Sequence, residues 1–225
     1  MKKFTPGEAI EFGWETMKKH FWFFVSLLIV SWLTGAVPTG IANGFKNKVA
    51  FLYVVFILGA WVIQVIVRMG LIKVVLDIID KGTADLKTLF SQTQMFWKFL
   101  GGAVLYGLIV LGGFILLIVP GIIWGIKYQF FGYLIIDKNL GPIEALKKSG
   151  EITMGNKGSL FVLGLLLALI NLLGVMCLIV GLFATIPLTI VAMTYVYRKL
   201  LGETVATESA LTAPIVSTPT TGQPA

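Results

Sequence analysis

The chain has 225 residues, of which 57% are hydrophobic and only 13% are charged, and its mean hydropathy is +0.91. A soluble domain of this size needs far more charge to cover its surface, so the composition excludes a soluble globular protein. The net charge of +7 comes from lysines spread over three segments. This distribution predicts no nucleic-acid partner and is typical of a membrane protein beside an anionic leaflet.

The N-terminal segment is polar and does not have the pattern of a secretory signal. Its basic start is followed by three acidic residues, at Glu8, Glu11 and Glu15. A signal peptide has a short apolar core there and then a small-residue cleavage site. We therefore expect the first apolar run to stay in the mature protein as a membrane span.

Apolar runs of spanning length follow one another along the chain. A spanning helix needs roughly 20 mostly apolar residues, and residues 159–197 contain no Asp, Glu, Lys or Arg. The buried core of a soluble helical protein would need polar outer faces, whereas these runs are apolar all round. The sequence therefore predicts an all-α, polytopic membrane domain over residues 1–201. Its six transmembrane helices are expected at about residues 21–40, 49–68, 99–119, 121–137, 159–178 and 181–199.

The charged residues fall into alternate connections between these spans. Carboxylates and lysines share residues 1–20, 68–98 and 137–157, while the other connections carry only Lys46 and Lys48. Lys and Arg near span ends mark the cytoplasmic side. We predict a multi-pass protein of the cell (inner or cytoplasmic) membrane with both termini in the cytoplasm and lysines facing anionic headgroups.

A short polar segment with helical periodicity precedes each pair of spans. In the first, Ile10, Trp14, Met17 and Phe21 recur at steps of four, three and four, the spacing of one helix face. Similar segments lie at residues 84–100 and 141–161. We predict three repeats, each an amphipathic helix in the membrane interface followed by a helical hairpin. The alternative is an ordinary cytosolic linker helix.

Two prolines lie where the chain is expected to turn or bend. Pro120 and Gly121 fall at the predicted extracytoplasmic turn between spans three and four, where proline fits the first turn of a helix. Gly121 and Gly125 are four residues apart, a spacing that lets two helix backbones approach closely in lipid. Pro187 marks a similar break in the last span.

Residues 120–156, PGIIWGIKYQFFGYLIIDKNLGPIEALKKSGEITMGN, carry a recognisable pattern. Its members are Pro120-Gly121, a basic Lys127, Asp137 at the end of an apolar exit, Glu144-Ala145-Leu146, Ser149 and Gly155. The pattern resembles that of a six-span bacterial and archaeal membrane protein family of poorly known function. That family includes the membrane domain attached to some glycerophosphodiester phosphodiesterases. The resemblance implies the six-span layout over roughly residues 5–200, although Gly150 stands where the family often has Trp.

The chain shows no pattern of a catalytic or metal site, and we predict that it is not an enzyme and binds no cofactor. In the proteins that it resembles, phosphodiesterase chemistry belongs to a separate soluble domain with metal-binding carboxylates and histidines. This chain has one histidine, His20, which we interpret as a headgroup neighbour, and one cysteine, Cys177, which we interpret as packing. It contains no CxxC, HExxH, GxSxG or phosphate-binding glycine loop.

Five polar or charged side chains interrupt the predicted spans and are the candidates for a binding site: Lys127, Gln129, Gln64, Arg68 and Asn171. Such side chains are costly in lipid and often functional. We therefore hypothesise an intramembrane polar pocket around Lys127, which lies about 15 Å of straight helix before Asp137. The alternative is that the Lys127 side chain only extends to the interface or bonds a free carbonyl near Pro120.

Two functions from different classes remain. The first prediction is a structural, accessory or assembly protein of the cell membrane, whose partner is a second copy or a membrane complex. The second is a small transporter or lipid-binding membrane protein that uses the pocket around Lys127. Against transport, the spans contain no carboxylate at membrane depth for a proton or sodium relay, since Asp137 lies at the end of its span. Residues 202–225 are rich in Thr, Ser, Ala and Pro and predict a disordered cytoplasmic tail.

Overall fold

The structure, a computed structural model, describes residues 3–45, 49–82, 85–176 and 181–203, and within these ranges it contains only α-helices and short 3-10 turns. The helices are α1 (Pro6–Lys19), α2 (Phe21–Phe45), α3 (Ala50–Lys81), α4 (Phe96–Leu116), α5 (Ile118–Tyr128), α6 (Phe131–Lys138), α7 (Pro142–Ile152), α8 (Lys157–Met176) and α9 (Leu182–Leu201). The predicted all-α class is therefore confirmed. Cys177 and almost all of the predicted tail lie outside the described residues.

Five helical segments among the described residues are long and apolar enough to cross a membrane. They are Phe21–Gly44, Ala50–Lys81, Leu86–Leu116, Ile118–Lys138 and Lys157–Met176. Their large apolar side chains are widely exposed, as at Trp22, Trp32 and Leu108. Exposed apolar surface on this scale requires lipid or another protein to cover it, so the chain is a membrane-embedded helical protein.

The last predicted span is α9, which is not one of these five segments. It is 20 residues long, but threonines, tyrosines, Arg198 and Lys199 make it more polar than the others. It is also enclosed, because α1, α2, α3 and α8 pack around it and its residues from Val191 to Arg198 are buried except Met193. A helix surrounded by protein needs no lipid-compatible surface, which accounts for its lower hydropathy.

The helix α3 continues well past the end predicted for the second span near residue 68. Its 32 residues correspond to about 48 Å at 1.5 Å per residue, against about 30 Å for the bilayer core. The second half buries Val74, Val75, Ile78 and Ile79 in the protein core. Packing in the core therefore stabilises the helix beyond its apolar run. The helix ends at Gly82, which has a left-handed conformation (φ 67°).

The polar segment before α4 does not form the predicted amphipathic helix. It folds into two 3-10 turns, Leu86–Phe90 and Thr93–Met95. The Asp85 carboxylate accepts a hydrogen bond from the Lys87 backbone N–H at 2.9 Å, which favours a turn. Leu89 is buried against α3, where a Cβ at Gly70 would lie 2.0 Å from the Leu89 carbonyl oxygen. This close backbone contact fixes the turns on α3, and the prediction of a helix here is wrong.

The other two polar segments are helices, α1 and α7, but their buried faces lie against protein. In α1, the Phe12 ring stacks on Tyr195 with centroids 4.4 Å apart, and Gly13 lies against α9. In α7, Ala145 and Leu146 are buried in the same core. These faces dock the two short helices onto the bundle. In α1 the docked face is not the one that we expected to rest on lipid: of Ile10, Trp14 and Met17, only Met17 is buried, and Trp14 is 46% exposed.

Candidate functional site

The fourth predicted span contains a break at Gln129 and Phe130, between α5 and α6. A break leaves backbone groups without helical partners. The buried Ser149 of α7 donates a hydrogen bond to the Lys127 carbonyl oxygen at 3.0 Å and accepts one from the Phe130 N–H at 3.2 Å. Thr153, also buried, donates to the same carbonyl at 3.1 Å. The hydroxyls of α7 thus satisfy the break and hold α7 against it.

The break changes the surroundings expected for Lys127. The estimate of 15 Å assumed one continuous helix from Lys127 to Asp137, whereas α5 ends at Tyr128 and α6 begins at Phe131. Instead, α7 brings Lys147 and Glu151 beside Lys127. Lys127 therefore shares its surroundings with charged side chains of α7.

Lys127 lies in an open groove between α4, α5 and α7, which we call the Lys127 groove. The groove has a volume of about 470 Å³. Its apolar lining comes from Leu105, Ile109, Ile143, Leu146 and Met154, and its charged lining comes from Lys127, Lys147 and Glu151. The Lys127 ammonium lies 4.9 Å from the centroid of the Tyr128 ring. A Cβ at Gly150 would come 2.9 Å from Cε of Lys127, so the bare backbone of Gly150 leaves room for the lysine side chain.

The charges of the Lys127 groove are unbalanced. Glu151 forms an ion pair with Lys148, at 3.0 Å. In the described part of the chain, neither Lys127 nor Lys147 has a carboxylate within ion-pair distance. The groove therefore presents two ammonium groups whose charge the protein does not neutralise.

Two of the other predicted site residues bind neighbouring helices. The Gln64 side-chain amide donates to the Ser31 carbonyl oxygen at 3.1 Å, which links α3 to α2. The Asn171 amide donates to the Leu167 carbonyl at 2.9 Å and to the Thr189 hydroxyl at 2.8 Å, which links α8 to α9. Hydrogen bonds of this kind hold helices together in membranes.

The five predicted residues do not form one pocket. Arg68 is exposed on α3, and the side-chain nitrogen of Gln129 is buried without a hydrogen-bond partner among the described residues. Only Lys127 of the five lines the Lys127 groove. The hydrogen bond of Gln64 joins α2 to α3, and that of Asn171 joins α8 to α9, so these two residues lie in different helix pairs.

Pro120 and Gly121, which the sequence assigns to a turn and to helix packing, lie at the start of α5. The turn between α4 and α5 is at Leu117, so Pro120 occupies the first turn of α5. A Cβ at Gly121 would lie 2.6 Å from the Phe114 ring, and one at Gly113 would lie 2.8 Å from Gly121 Cα. The two backbones therefore meet at Gly113 and Gly121, and sequence reasoning missed Gly113.

Gly125 and Pro187 have different surroundings from those expected. The Gly125 carbonyl accepts a hydrogen bond from the Tyr106 hydroxyl at 3.2 Å. Pro187 does not break the last helix, because α9 runs through it from Leu182 to Leu201. A proline early in a helix removes only one intrahelical bond, and Pro187 is buried among its neighbours.

The most highly connected polar group is one that sequence reasoning did not select. Arg198 is 4% exposed and binds three carboxylates, those of Asp80, Asp137 and Glu203. Its Nε and Nη2 donate to Asp80, Nη1 and Nη2 donate to Asp137, and Nη1 donates to Glu203. All five N–H groups of the guanidinium therefore have an acceptor. We call these four residues the Arg198 cluster.

Two further side chains complete the surroundings of the Arg198 cluster. The Tyr197 hydroxyl donates to Asp137 at 2.9 Å, and Lys138 pairs with Glu203 at 2.6 Å. The cluster joins the ends of α3, α6 and α9. Basic residues near span ends indicate only the cytoplasmic side, and nothing in the linear pattern identifies the carboxylates that meet Arg198.

A second polar contact joins the two ends of the described chain. Glu8 of α1 binds Lys199 and accepts a hydrogen bond from the Tyr195 hydroxyl at 2.7 Å. Burial alone would raise the pKa of Glu8, but hydrogen bonds from Lys199 and Tyr195 outweigh it and lower that pKa. The start of α1 is therefore fixed to the last turn of α9.

The described residues hold no group of three or more His, Cys, Asp or Glu side chains arranged to bind a metal ion. The acids that do meet, in the Arg198 cluster, surround a guanidinium. His20 ends α1, and its backbone N–H donates to the Thr16 carbonyl at 3.1 Å.

Comparison with other proteins identifies relatives in mycobacteria. An uncharacterized protein of Mycobacterium bovis is 30% identical over 150 residues, and one of Mycobacterium tuberculosis is 29% identical over the same length. The match covers 67% of this chain and 46% of each relative, so the chain spans about half the length of these curated relatives. No protein-family profile matches the chain. No solved structure matches it.

Proposed function

We propose that the protein is a structural, accessory or assembly protein of the cell membrane. The observation that supports this most directly is the use of its polar side chains. Gln64 and Asn171 bond neighbouring helices, Ser149 and Thr153 satisfy the break in the fourth span, and Arg198 is saturated by carboxylates of its own chain. These groups hold helices in place.

Six spans, with α9 as the sixth, form part of the proposal. The α8–α9 hairpin supports it, because Asn171 pairs with Thr189 and a Cβ at Gly174 would meet Thr185 and Gly181. The helix α9 therefore returns alongside α8. If α8 crosses the bilayer, α9 crosses back, and its basic last turn lies on the same side as Lys157 at the start of α8.

The cytoplasmic location of both ends is supported by their mutual contact. Glu8, in the first turn of α1, binds Lys199, in the last turn of α9. The Arg198 cluster collects the ends of α3 and α6 on that same side. These contacts gather Lys138, Arg198 and Lys199 at one end of the bundle, and ends rich in Lys and Arg face the cytoplasm.

Membership of the six-span family that residues 120–156 resemble remains part of the proposal. Three residues of the resembling pattern have defined structural roles that support it. Asp137 binds Arg198, Ser149 satisfies the break after Lys127, and the Glu144 carboxylate accepts a hydrogen bond from the Gly141 N–H at 3.2 Å at the start of α7. In the proposed family, these three residues of the pattern would therefore serve to position helices.

Deletion of the gene in the native host tests this function. We expect native electrophoresis of solubilised membranes, followed by mass spectrometry of each size fraction, to show one membrane complex reduced or shifted. Expression of the wild-type chain should restore that complex. Unchanged complexes, together with solute or ion flux in vesicles reconstituted with the purified protein, would replace the structural role with transport.

A further inference from the structure

We propose that the Lys127 groove binds an anionic phospholipid, with the phosphate between Lys127 and Lys147 and an acyl chain against α4. This inference goes beyond the structural role and does not depend on it. It assigns a ligand class to an open groove that brings charged and apolar side chains together.

Charge supports an anionic ligand. Lys127 and Lys147 both line the groove, and neither has a carboxylate partner among the described residues. The one acid in the lining, Glu151, is paired with Lys148. An ammonium group near a membrane surface attracts anionic headgroups, so a phosphate between the two lysines would supply the missing counter-charge.

Shape and polarity support a lipid over a small soluble anion. Leu105 and Ile109 of α4 form one wall of the groove, and Leu146 of α7 contributes to it. Beside them, Val104 and Leu108 of α4 are more than half exposed and continue the apolar surface. A ligand that contacts both the lysines and this apolar surface needs a charged head and an apolar chain. A glycerophospholipid has that structure.

The local backbone holds the groove in place before any ligand arrives. Ser149 and Thr153 fix α7 to the break after Lys127, and Gly150 lets the lysine side chain lie directly against α7. The ammonium rests over the Tyr128 ring, which holds a cation without neutralising it. A preformed site of this kind loses little freedom when the ligand binds.

Native mass spectrometry of the full chain in a nonionic detergent tests the site. The protein is titrated with phosphatidylglycerol and, separately, with phosphatidylcholine of the same acyl chains. We expect the wild type to bind the first phosphatidylglycerol more tightly than phosphatidylcholine. Lys127→Gln combined with Lys147→Gln should weaken phosphatidylglycerol binding by about tenfold or more, because each lysine contributes about fivefold. The double variant Lys127→Arg with Lys147→Arg should keep the preference.

The matched control removes two exposed lysines elsewhere, Lys3→Gln with Lys87→Gln. It should change the affinity by less than about twofold, since these lysines lie outside the groove. Equal binding by the Lys127/Lys147 variant and the wild type would overturn the site. An equal loss in the control would overturn it too, by showing general surface charge.

Two further results keep the test decisive. If the double variant fails to fold, Lys147→Gln alone serves, because Lys147 is exposed and should lose about fivefold while the helix content stays the same. A protein dimer that depends on Lys127 and persists in excess phosphatidylglycerol would assign the groove to a second copy of the chain and overturn the lipid proposal.

Discussion

At the scale of single residues, Arg198 combines burial with complete hydrogen bonding. A guanidinium has five donors in a planar fork, and here three carboxylates from α3, α6 and the end of α9 use all of them. Removing one partner of a buried ion pair leaves uncompensated charge, which costs far more than the pair contributes. Arg198 is therefore the residue whose replacement should affect stability most.

We expect Arg198→Lys to lower the free energy of unfolding by about 1–3 kcal/mol, because acceptors of the Arg198 cluster lose their donors. Lysine keeps the charge, but its compact ammonium cannot make the paired bonds to Asp80 and Asp137. Equilibrium denaturation of the purified protein in mixed micelles measures the change. Arg68→Lys is the matched control, since Arg68 is exposed, and it should stay within about 0.5 kcal/mol of the wild type. Equal effects of the two substitutions would show that the Arg198 cluster is not a stabilising element.

The contact of Glu8 with Lys199 and Tyr195 should make stability depend on pH. Because the pKa of folded Glu8 lies below its ordinary value of 4.5, the contact contributes fully above about pH 4.5 and is lost as pH falls through the folded-state value. The wild type should be slightly more stable than Glu8→Gln near neutral pH, and the difference should shrink below about pH 4.5.

Melting temperatures of wild type and Glu8→Gln between pH 3 and 7 measure this difference. The size should be modest, about 1 kcal/mol or less, because Glu8 is partly exposed and solvent screens the pair. Glu11→Gln, an exposed change on the same helix, should show no such pH-dependent difference. A constant gap between wild type and Glu8→Gln at every pH would contradict the assigned contact.

At the scale of elements, the docking of α1 on α9 depends on small residues at the contact. Ala9 and Gly13 of α1 are buried, and Gly13 lies against Leu188 and Ala192 of α9. Small side chains let two helix backbones approach closely. The periodicity of α1 predicted its helix, whereas the identity of its partner required the three-dimensional fold.

Gly13→Ala should destabilise the protein by about 1–3 kcal/mol, because the new Cβ would lie 2.9 Å from the Leu188 carbonyl and 3.2 Å from the Ala192 Cβ. Gly7→Ala is the control on the same helix, where a Cβ meets nothing within 4 Å. That change should be neutral or stabilising by up to about 1 kcal/mol, through the unfolded state. Thermal unfolding of both variants measures these changes. Similar changes in stability for Gly13→Ala and Gly7→Ala would mean that α1 does not dock on α9 as described.

At the scale of the whole molecule, hydropathy predicted the membrane helices because a span must satisfy its backbone internally and face lipid. It did not predict the break at Gln129, since that depends on hydroxyls of Ser149 and Thr153, which lie some twenty residues further along the chain. It also grouped Gln64 and Asn171 into one predicted pocket, whereas each of them bonds a different helix. Local pattern fixes helices, while the pairing of distant polar groups requires the packed structure.

We propose that α9 crosses the membrane as a sixth span at the middle of the bundle, with both ends of the chain in the cytoplasm. Labelling of single cysteines with a membrane-impermeant maleimide, in a Cys177→Ser background and intact spheroplasts, tests it directly. We expect Leu117→Cys, at the exposed α4–α5 turn, to be labelled at once. Glu11→Cys and Ala225→Cys should be labelled only after permeabilisation. Labelling of Ala225→Cys in intact spheroplasts while Glu11→Cys stays protected would show that α9 does not cross, and would contradict the proposed topology.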